Sequence, residues 1–353
     1  MPVIPLLERL VAARSPSREE GPSAAVFDAW AAEHRLVPSA SGHNRWVSRD
    51  GSLPGPTLLL LSHHDTVPAT DAWTRDPWRP HHEDDRLYGL GANDAKGCLA
   101  AMMVAFSRVT LTRGRLLLVA AAEEETGRGG FEAIQPALPK VDAAIVGEPT
   151  SLDIATAQNG LLILDCVAHG RAGHAARPHL ADNAIPTMAA DILAVTAMEL
   201  DRVHPVAGKT THAVTVAHAG ERHNVIPGEA RWLIDLRTTD AYTPEELTAL
   251  VQARVRSAVS VRSQRFSAVS TPAGAAILAA AKAARPEARE FSSPTLSDWA
   301  HLRGVPAIKW GPGRSEVSHT ADEWVEPAMV EAAVTAYVGA IEAFFDGSAG
   351  GSP

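Results

Sequence analysis

The chain has 353 residues, 46% of them apolar, which is enough for two domains with ordinary hydrophobic cores. A formal charge of −9, with no Lys/Arg-rich stripe to neutralise phosphates, argues against a nucleic-acid partner. No apolar run approaches the roughly 20 residues of a membrane span, and the N-terminus lacks a basic stretch followed by an apolar one, so a soluble cytoplasmic protein with no membrane partner is expected.

Apolar residues at helical spacing predict a helix over residues 4–14 and a second over 23–33. Residues 45–48 and the Asp50-Gly51 turn predict a hairpin leading into the first core strand. That strand is the continuous run Thr57-Leu58-Leu59-Leu60-Leu61, without alternation, as expected of a strand buried on both faces of a parallel sheet. It ends abruptly in Ser62-His63-His64-Asp65. Residues 70–85 form a Pro/Trp/His-rich loop; its His81-His82 pair could bind metal, but with Asp84-Asp85 it reads as solvated loop polarity, because no apolar strand points the pair at the common edge. Asp94 immediately precedes a helical stretch over 95–110. Two further apolar runs, 115–122 and 142–147, end in Glu123-Glu124-Glu125 and in Glu148.

After Glu148 the pattern changes. Strands over 161–168, 211–219, 230–237 and 262–268, with helices over 182–199 and 243–258, give the order β-α-β-β-α-β of a small ferredoxin-like unit. Thr243-Pro244-Glu245-Glu246 is a strong helix start. The α/β pattern then resumes with an Ala-rich helix over 273–284 and a short strand over 307–311, followed by a Gly/Pro loop leading to His319. The expected architecture is therefore an α/β protein with a mostly parallel central sheet flanked by helices and an inserted α+β domain. The expected divisions are 1–160, 161–268 and 269–353, with residues 346–353 a disordered Gly/Ser-rich tail.

Ligands of open α/β sheets collect outside the carboxyl ends of the strands, and the polar residues above fall at that edge. Cys98 and Cys166 are the only cysteines and form no Cys-x-x-Cys pair; both read as small buried hydrophobes, so any metal must be held by His, Asp and Glu. His63, Asp94, Glu125, Glu148 and His319 supply such ligands, and carboxylates buried together without cations would be strongly unfavourable. Five ligands serve two ions only if one carboxylate bridges, and Asp94, at a helix start, is the choice. Asp65, two residues after His63, can accept the second N–H of that imidazole. Glu124 and Glu125, pointing differently on an extended backbone, divide between metal binding and proton transfer. Glu123 reads as a solvated side chain or a cap.

Five segments carry a resemblance: His63-x-Asp65 before Val67-Pro68; Gly91-Ala92-Asn93-Asp94-Ala95-Lys96-Gly97; Glu124-Glu125-Thr126-Gly127; Gly147-Glu148-Pro149; and Ser318-His319-Thr320-Ala321-Asp322-Glu323. In order and spacing the set resembles the co-catalytic dizinc aminoacylase/carboxypeptidase family, which includes acetylornithine deacetylase and succinyl-diaminopimelate desuccinylase. The resemblance implies two Zn2+, with Co2+ able to substitute: one held by His63, Asp94 and Glu148, the other by Asp94, Glu125 and His319. It implies Glu124 as general base in amide hydrolysis, and an inserted domain that serves as dimerisation lid of a homodimer. Within that lid, Gly170-Arg171-Ala172-Gly173-His174-Ala175 resembles the segment whose His reaches the other subunit's site, and Asn224 resembles a residue that meets the substrate. From the residues alone, His174 reads as a surface loop histidine.

The substrate implied is a small N-acyl amino acid, closest to N-acetylornithine. Leu161-Leu162 stand where desuccinylases carry basic residues, which weakens a dicarboxylic acyl group. Arg237, Arg314 and Arg177 are candidates for the substrate α-carboxylate, with Arg237 equally readable as a structural ion-pair partner. Gly313, in Gly311-Pro312-Gly313, lets backbone approach the substrate or simply makes a turn. A dipeptidase or carboxypeptidase, an acylcitrulline deacylase, and a hydrolase releasing lysine or ornithine from a carrier protein are the competing enzymes. A catalytically inactive binding protein would have lost the base or a ligand, and all are present. Gly127-Arg128-Gly129-Gly130 lacks phosphate-loop spacing.

Overall fold

Four apolar strands lie side by side and parallel at the centre of a computed structural model, which describes residues 2–127 and 129–347. Arg113–Ala121 pairs with Leu53–His63, Leu53–His63 with Ala143–Val146, and Ala143–Val146 with Ala307–Lys309. Leu58, Leu59, Leu60 and Leu61 are fully buried on both faces, as an unbroken apolar run requires. Because the four strands run the same way, their carboxyl ends, carrying His63, Glu124, Glu148 and the approach to His319, reach one edge.

The sheet has nine strands and its flanks are antiparallel. Asn44–Asp50 pairs antiparallel with Arg113–Ala121, not with Leu53–His63, so the expected hairpin is corrected: the Arg113–Ala121 strand lies between them, and Asn44–Asp50 instead forms its hairpin with Ser39–Ser41. Ile154–Gln158 and Val269–Ser270 close the other flank and were not foreseen. Within the expected loop over 70–85, residues 81–83 are strand, while Asp84 and Asp85 make the turn that follows. His81–Glu83 and Arg86–Tyr88 form a small sheet with Trp324–Val325, and His82 Nε2 lies 2.6 Å from Glu8 Oε1 on the first helix.

Helices cover the sheet. Val3–Ala12 buries Val3, Leu6, Leu7, Leu10 and Val11, the one-face spacing that predicted it. The expected helix over 95–110 is Gly97–Arg108, preceded by a separate turn Ala92–Lys96 in which the Asp94–Ala95 peptide is cis. Pro327–Gly347 was not anticipated. Its length and mean hydropathy of 1.4 would suit a membrane span, yet Val330, Val334, Tyr337, Ile341 and Phe344 belong to the same core cluster as the sheet. This helix carries Asp346 and Gly347, the first residues of the expected tail; residues 348–353 lie outside those described.

The chain divides into two units. One comprises Met1–Thr156, Ser270–Ser293 and Ser297–Pro353; the other comprises Ala157–Val269 with Pro294–Leu296. The second holds Gly160–His169, Ala184–Thr196, Thr211–Ala219, Glu229–Thr238, Pro244–Gln252 and Ala258–Phe266, in the β-α-β-β-α-β order. The four long strands form one antiparallel sheet with the Gly160–His169 strand between Glu229–Thr238 and Ala258–Phe266. Leu162, Leu164, Trp232, Ile234, Leu247 and Val251 fill its core.

Candidate metal centre

His63 is the last residue of its strand and nearly buried. Its Nδ1 faces Asp65, 3.3 Å from Oδ1 and 3.2 Å from the carbonyl oxygen, which directs Nε2 toward the sheet edge. Nε2 lies 3.2 Å from Asp94 Oδ1 and 4.0 Å from Glu148 Oε1. The other Asp94 oxygen, Oδ2, lies 3.8 Å from Nε2 of His319, which in turn is 2.9 Å from Glu125 Oε1. One oxygen of Asp94 therefore addresses each imidazole, and each imidazole has a second carboxylate beside it. One donor atom each from His63, Asp94 and Glu125 lies within 4.8 Å of the others.

The two glutamates do not sit on an extended chain as expected. Glu123 turns the backbone with a φ of 54°, and Glu124–Thr126 forms a single 3₁₀ turn. Asp65 holds the start of that turn: Oδ1 accepts from the Glu124 N–H at 3.1 Å, and Oδ2 from the Glu125 N–H at 3.1 Å and the Ser17 hydroxyl at 2.7 Å. Glu123 faces Arg18, 3.3 Å away. Glu148 follows Gly147, where a Cβ would fall 2.8 Å from Met102 Cε.

Burial and crowding shape the charges. Burial pushes the Glu148 carboxyl up to about 8, with Asp94 and Glu125 adding to it and Lys309 and His63 opposing. Burial also lifts Glu124 well above the carboxylate range, reinforced by Glu148, Asp298 and Glu125 against His63. For His63 burial disfavours charge, but Asp65 and Asp94 outweigh it and hold the imidazole well above its usual value. Hydrogen bonding to Glu125 raises His319 to about 9. His64, beside His63, points away: its Nε2–H donates to the His43 carbonyl at 3.1 Å and Ser23 bonds its Nδ1, while burial pushes its pKa down to about 3. Carboxylates this close, with burial raising Glu124 and Glu148 while hydrogen bonding to His63 keeps Asp94 below its usual value, form a donor set of N and O atoms suited to divalent cations of the zinc type.

Sequence reasoning assigned no role to several neighbours. Glu323, 1% exposed, accepts from the N–H groups of Gly91, Asn93 and Asp94 at 3.0, 2.8 and 2.9 Å. Asn93 Nδ2 donates to Ser318 Oγ and the Arg314 carbonyl, both at 3.1 Å. Asp298 is buried, its carboxyl raised to about 7 by that burial, with Oδ2 lacking a hydrogen-bond partner. Asn93 and Glu323 had a signal, as members of the Gly91–Gly97 and Ser318–Glu323 motifs; Asp298 follows no apolar strand that would mark it.

Among the expected substrate contacts in this unit, Gly313 is buried with φ +92°, and a Cβ there would fall 2.5 Å from Asn93 Oδ1, so its lack of a side chain makes room for Asn93. Arg314 is bound to Glu326 Oε1 through Nε at 2.9 Å and Nη2 at 2.8 Å. In the second unit, Gly173–His174 pairs antiparallel with Val225–Ile226, and Ala175 N donates to the Asn224 carbonyl at 3.0 Å, so His174 and Asn224 are brought together. His174 Nδ1 accepts from the Ala176 N–H at 3.1 Å, which leaves Nε2–H as an exposed donor. Arg237 is held by Asp235 through Nε at 2.9 Å, the structural ion pair that was its alternative. Arg177, whose N–H reaches the His174 carbonyl at 2.8 Å, has an exposed side chain. Of the Leu161-Leu162 pair, Leu162 is a core residue and Leu161 is half-buried.

Residues 59–343 match the family model described as peptidase family M20/M25/M40. Among solved structures, the chain is similar to aminopeptidase PepT from Bacillus cereus, at 17% identity and a TM-score of 0.78 over 97% of this chain and 98% of that one. It is similar to the M20 metallo-carboxypeptidase Sso-CP2 from Sulfolobus solfataricus, at 17% identity and a TM-score of 0.75 over 98% and 99%. It is also similar to the YXEP protein of Bacillus subtilis, a dinuclear metal-binding M20 peptidase, at 15% identity and a TM-score of 0.72 over 96% and 97%. At these identities the structures establish the shared fold, and the family match over most of the chain establishes the rest: this chain belongs to peptidase family M20/M25/M40 and is a metal-binding hydrolase of that family.

Proposed function

We propose that the protein removes the N-acyl group, acetyl in the first instance, from an amino acid such as N-acetylornithine. In this proposal His63, Asp94 and Glu148 hold one Zn2+ and Asp94, Glu125 and His319 the other. The observation that carries it is the split address of Asp94, Oδ1 at 3.2 Å from the His63 nitrogen and Oδ2 at 3.8 Å from that of His319. When bound, two such ions supply Lewis acidity and bring the pKa of water near neutral. Glu124, lifted in pKa by burial, is suited to accept the water's proton and return it to the departing amine. Asp65 keeps the His63 tautomer and fixes the Glu124 turn. His174 of the partner subunit, with Nε2–H free to donate, stabilises the developing oxyanion in a homodimer formed through the inserted unit. Arg177, beside His174 and Asn224, is the guanidinium best placed to take the α-carboxylate.

A second reading, a dipeptidase or carboxypeptidase, has the support that similar structures are an aminopeptidase and a carboxypeptidase. The scissile amide and the catalytic groups are the same. Amine release from N-acetylornithine, N-acetylcitrulline, N-succinylornithine and a plain dipeptide, with chelator and zinc add-back, separates the two. Chelator-sensitive turnover confined to an acetylated amino acid is expected; turnover of the dipeptide alone selects the peptidase. His174→Ala is expected to depress kcat, and unchanged turnover would remove the oxyanion role.

A further inference from the structure

We infer that Glu323 is a positioning residue that sets the Asp94 carboxylate between its two histidines through the backbone, before any cation arrives. The inference rests on the metal-centre part of the function proposed above.

Asp94 sits in the turn Ala92–Lys96, entered through Gly91 at φ 80°, with no helical ladder to hold its backbone at the start. Glu323 supplies what the ladder does not. Oε1 accepts from the N–H groups of Asn93 and Asp94, and Oε2 from that of Gly91, so three amides converge on one carboxylate as in an anion-binding nest. The backbone repeats the attachment, since Gly89 N donates to the Glu323 carbonyl at 2.9 Å and Trp324 pairs with Tyr88. Glu323 also lies four residues after His319, so the loop that delivers one ligand clamps the segment that delivers the bridging one. The separation of His319 from Asp94 is thereby set by covalent chain and amide bonds. Lys96, fully buried, provides the positive charge facing both Glu323 and Asp65.

Asp322 is the internal contrast. Its carboxylate accepts the same number of bonds, from the Thr74 and Arg75 N–H groups at 3.0 and 3.2 Å and the Thr74 hydroxyl at 2.6 Å, but these lie on a different loop. If the effect is general tethering of the loop, losing either residue has the same consequence. If Glu323 positions Asp94, only its loss reaches the metal.

The test is zinc affinity of the full-length, metal-stripped protein, measured by competition with a chromophoric chelator, together with the visible spectrum after Co2+ loading. Glu323→Gln keeps the shape but turns one acceptor into a donor facing an amide N–H. It is expected to weaken zinc binding about 10–100-fold, as loss of groups supporting a ligand typically does, and to alter the Co2+ spectrum. Asp322→Ala is expected to bind as wild type. Wild-type constants and spectrum in Glu323→Gln would overturn the inference, as would an equal loss in Asp322→Ala. Should Glu323→Gln not fold, amide hydrogen exchange of the metal-stripped wild type decides: Gly91, Asn93 and Asp94 protected before zinc addition is the expected result, and protection that appears only with zinc overturns it. A wild-type protein that bound no zinc would instead remove the metal-centre proposal.

Discussion

Asp65 is 0% exposed and accepts from three separate donors besides facing His63, so a single carboxylate orients one ligand and the turn that carries two glutamates. Asp65→Ala therefore leaves those donors unpaired, and zinc affinity is expected to fall about 10–100-fold; retention of wild-type affinity in chelator competition would refute the dual role. Glu124→Gln has the opposite profile. Zinc content should be unchanged while kcat falls roughly 10²–10⁴-fold, the usual share of a general base, and a loss of zinc with the activity would mean Glu124 is a ligand. Among the five candidate ligands, His63, Glu125 and Glu148 were legible because buried apolar strands run into them, and a polar residue at the end of such a run has few structural uses; Asp94, in a turn, and His319, beyond a loop, stood out only beside them. Glu124 and Glu125 were not assignable from their residues alone, because their directions follow from the left-handed φ of 54° at Glu123, which leaves no trace in a hydropathy pattern. Asp298 lacked any local signal, and Glu323 had only its place at the end of the Ser318–Glu323 motif. The partners of Glu323 are backbone amides far off in the chain, and an amide reads the same whatever residue bears it.

At the level of elements, the core strand tolerates no void. Leu60 is fully buried between Leu118 and Ile145 on the neighbouring strands, so Leu60→Ala should cost about 2–5 kcal/mol in urea unfolding. A value under 1 kcal/mol would mean the sheet relaxes around it. The Pro244–Gln252 helix starts with both bonds of a capping box between Thr243 and Glu246, and Thr243→Ala should cost about 0.5–2 kcal/mol, read as a lower melting temperature. Elements with a periodic face were found in sequence to within a few residues, and the capping signal at Thr243 marked its helix start, but the expected helix over 243–258 ends at Gln252 because Ala258 already opens the next strand. The pairing of Asn44–Asp50 was not, because a turn such as Asp50-Gly51 reports chain reversal but not whether a third strand slips between the two arms. Pro327–Gly347 escaped because its apolar residues lie among many alanines, which blur the edge of a stripe.

For the whole molecule the buried charges predict how stability follows pH once metal is stripped. Burial raises Asp298 and Glu323 to about 7 and Glu148 to about 8, and Glu125 raises His319 to about 9. Each binds a proton in the folded chain at a pH where the unfolded chain has released it. Its contribution is thus complete below the ordinary carboxylate or imidazole value and lost as pH rises through the raised one. His64, lowered to about 3, and Lys96, lowered to about 7, act in the reverse sense but are fewer. The melting temperature of the metal-stripped protein should therefore fall between about pH 5 and pH 8. Excess zinc should restore more at the upper end. A melting temperature that rises across that window would refute the assignment of these protons.

Thr271 N donates to the Thr156 carbonyl at 2.8 Å, so the chain leaves the first unit and re-enters it one hydrogen bond apart. Closing a loop between neighbouring points costs little more entropy as the loop lengthens. That is the geometry by which one gene can accept another in frame without unsettling the host. Excising the guest from Ala157 to Val269 and bridging the gap with a short turn should accordingly yield a host that still folds, still gathers two metal ions, and has lost whatever the guest lends to substrate choice.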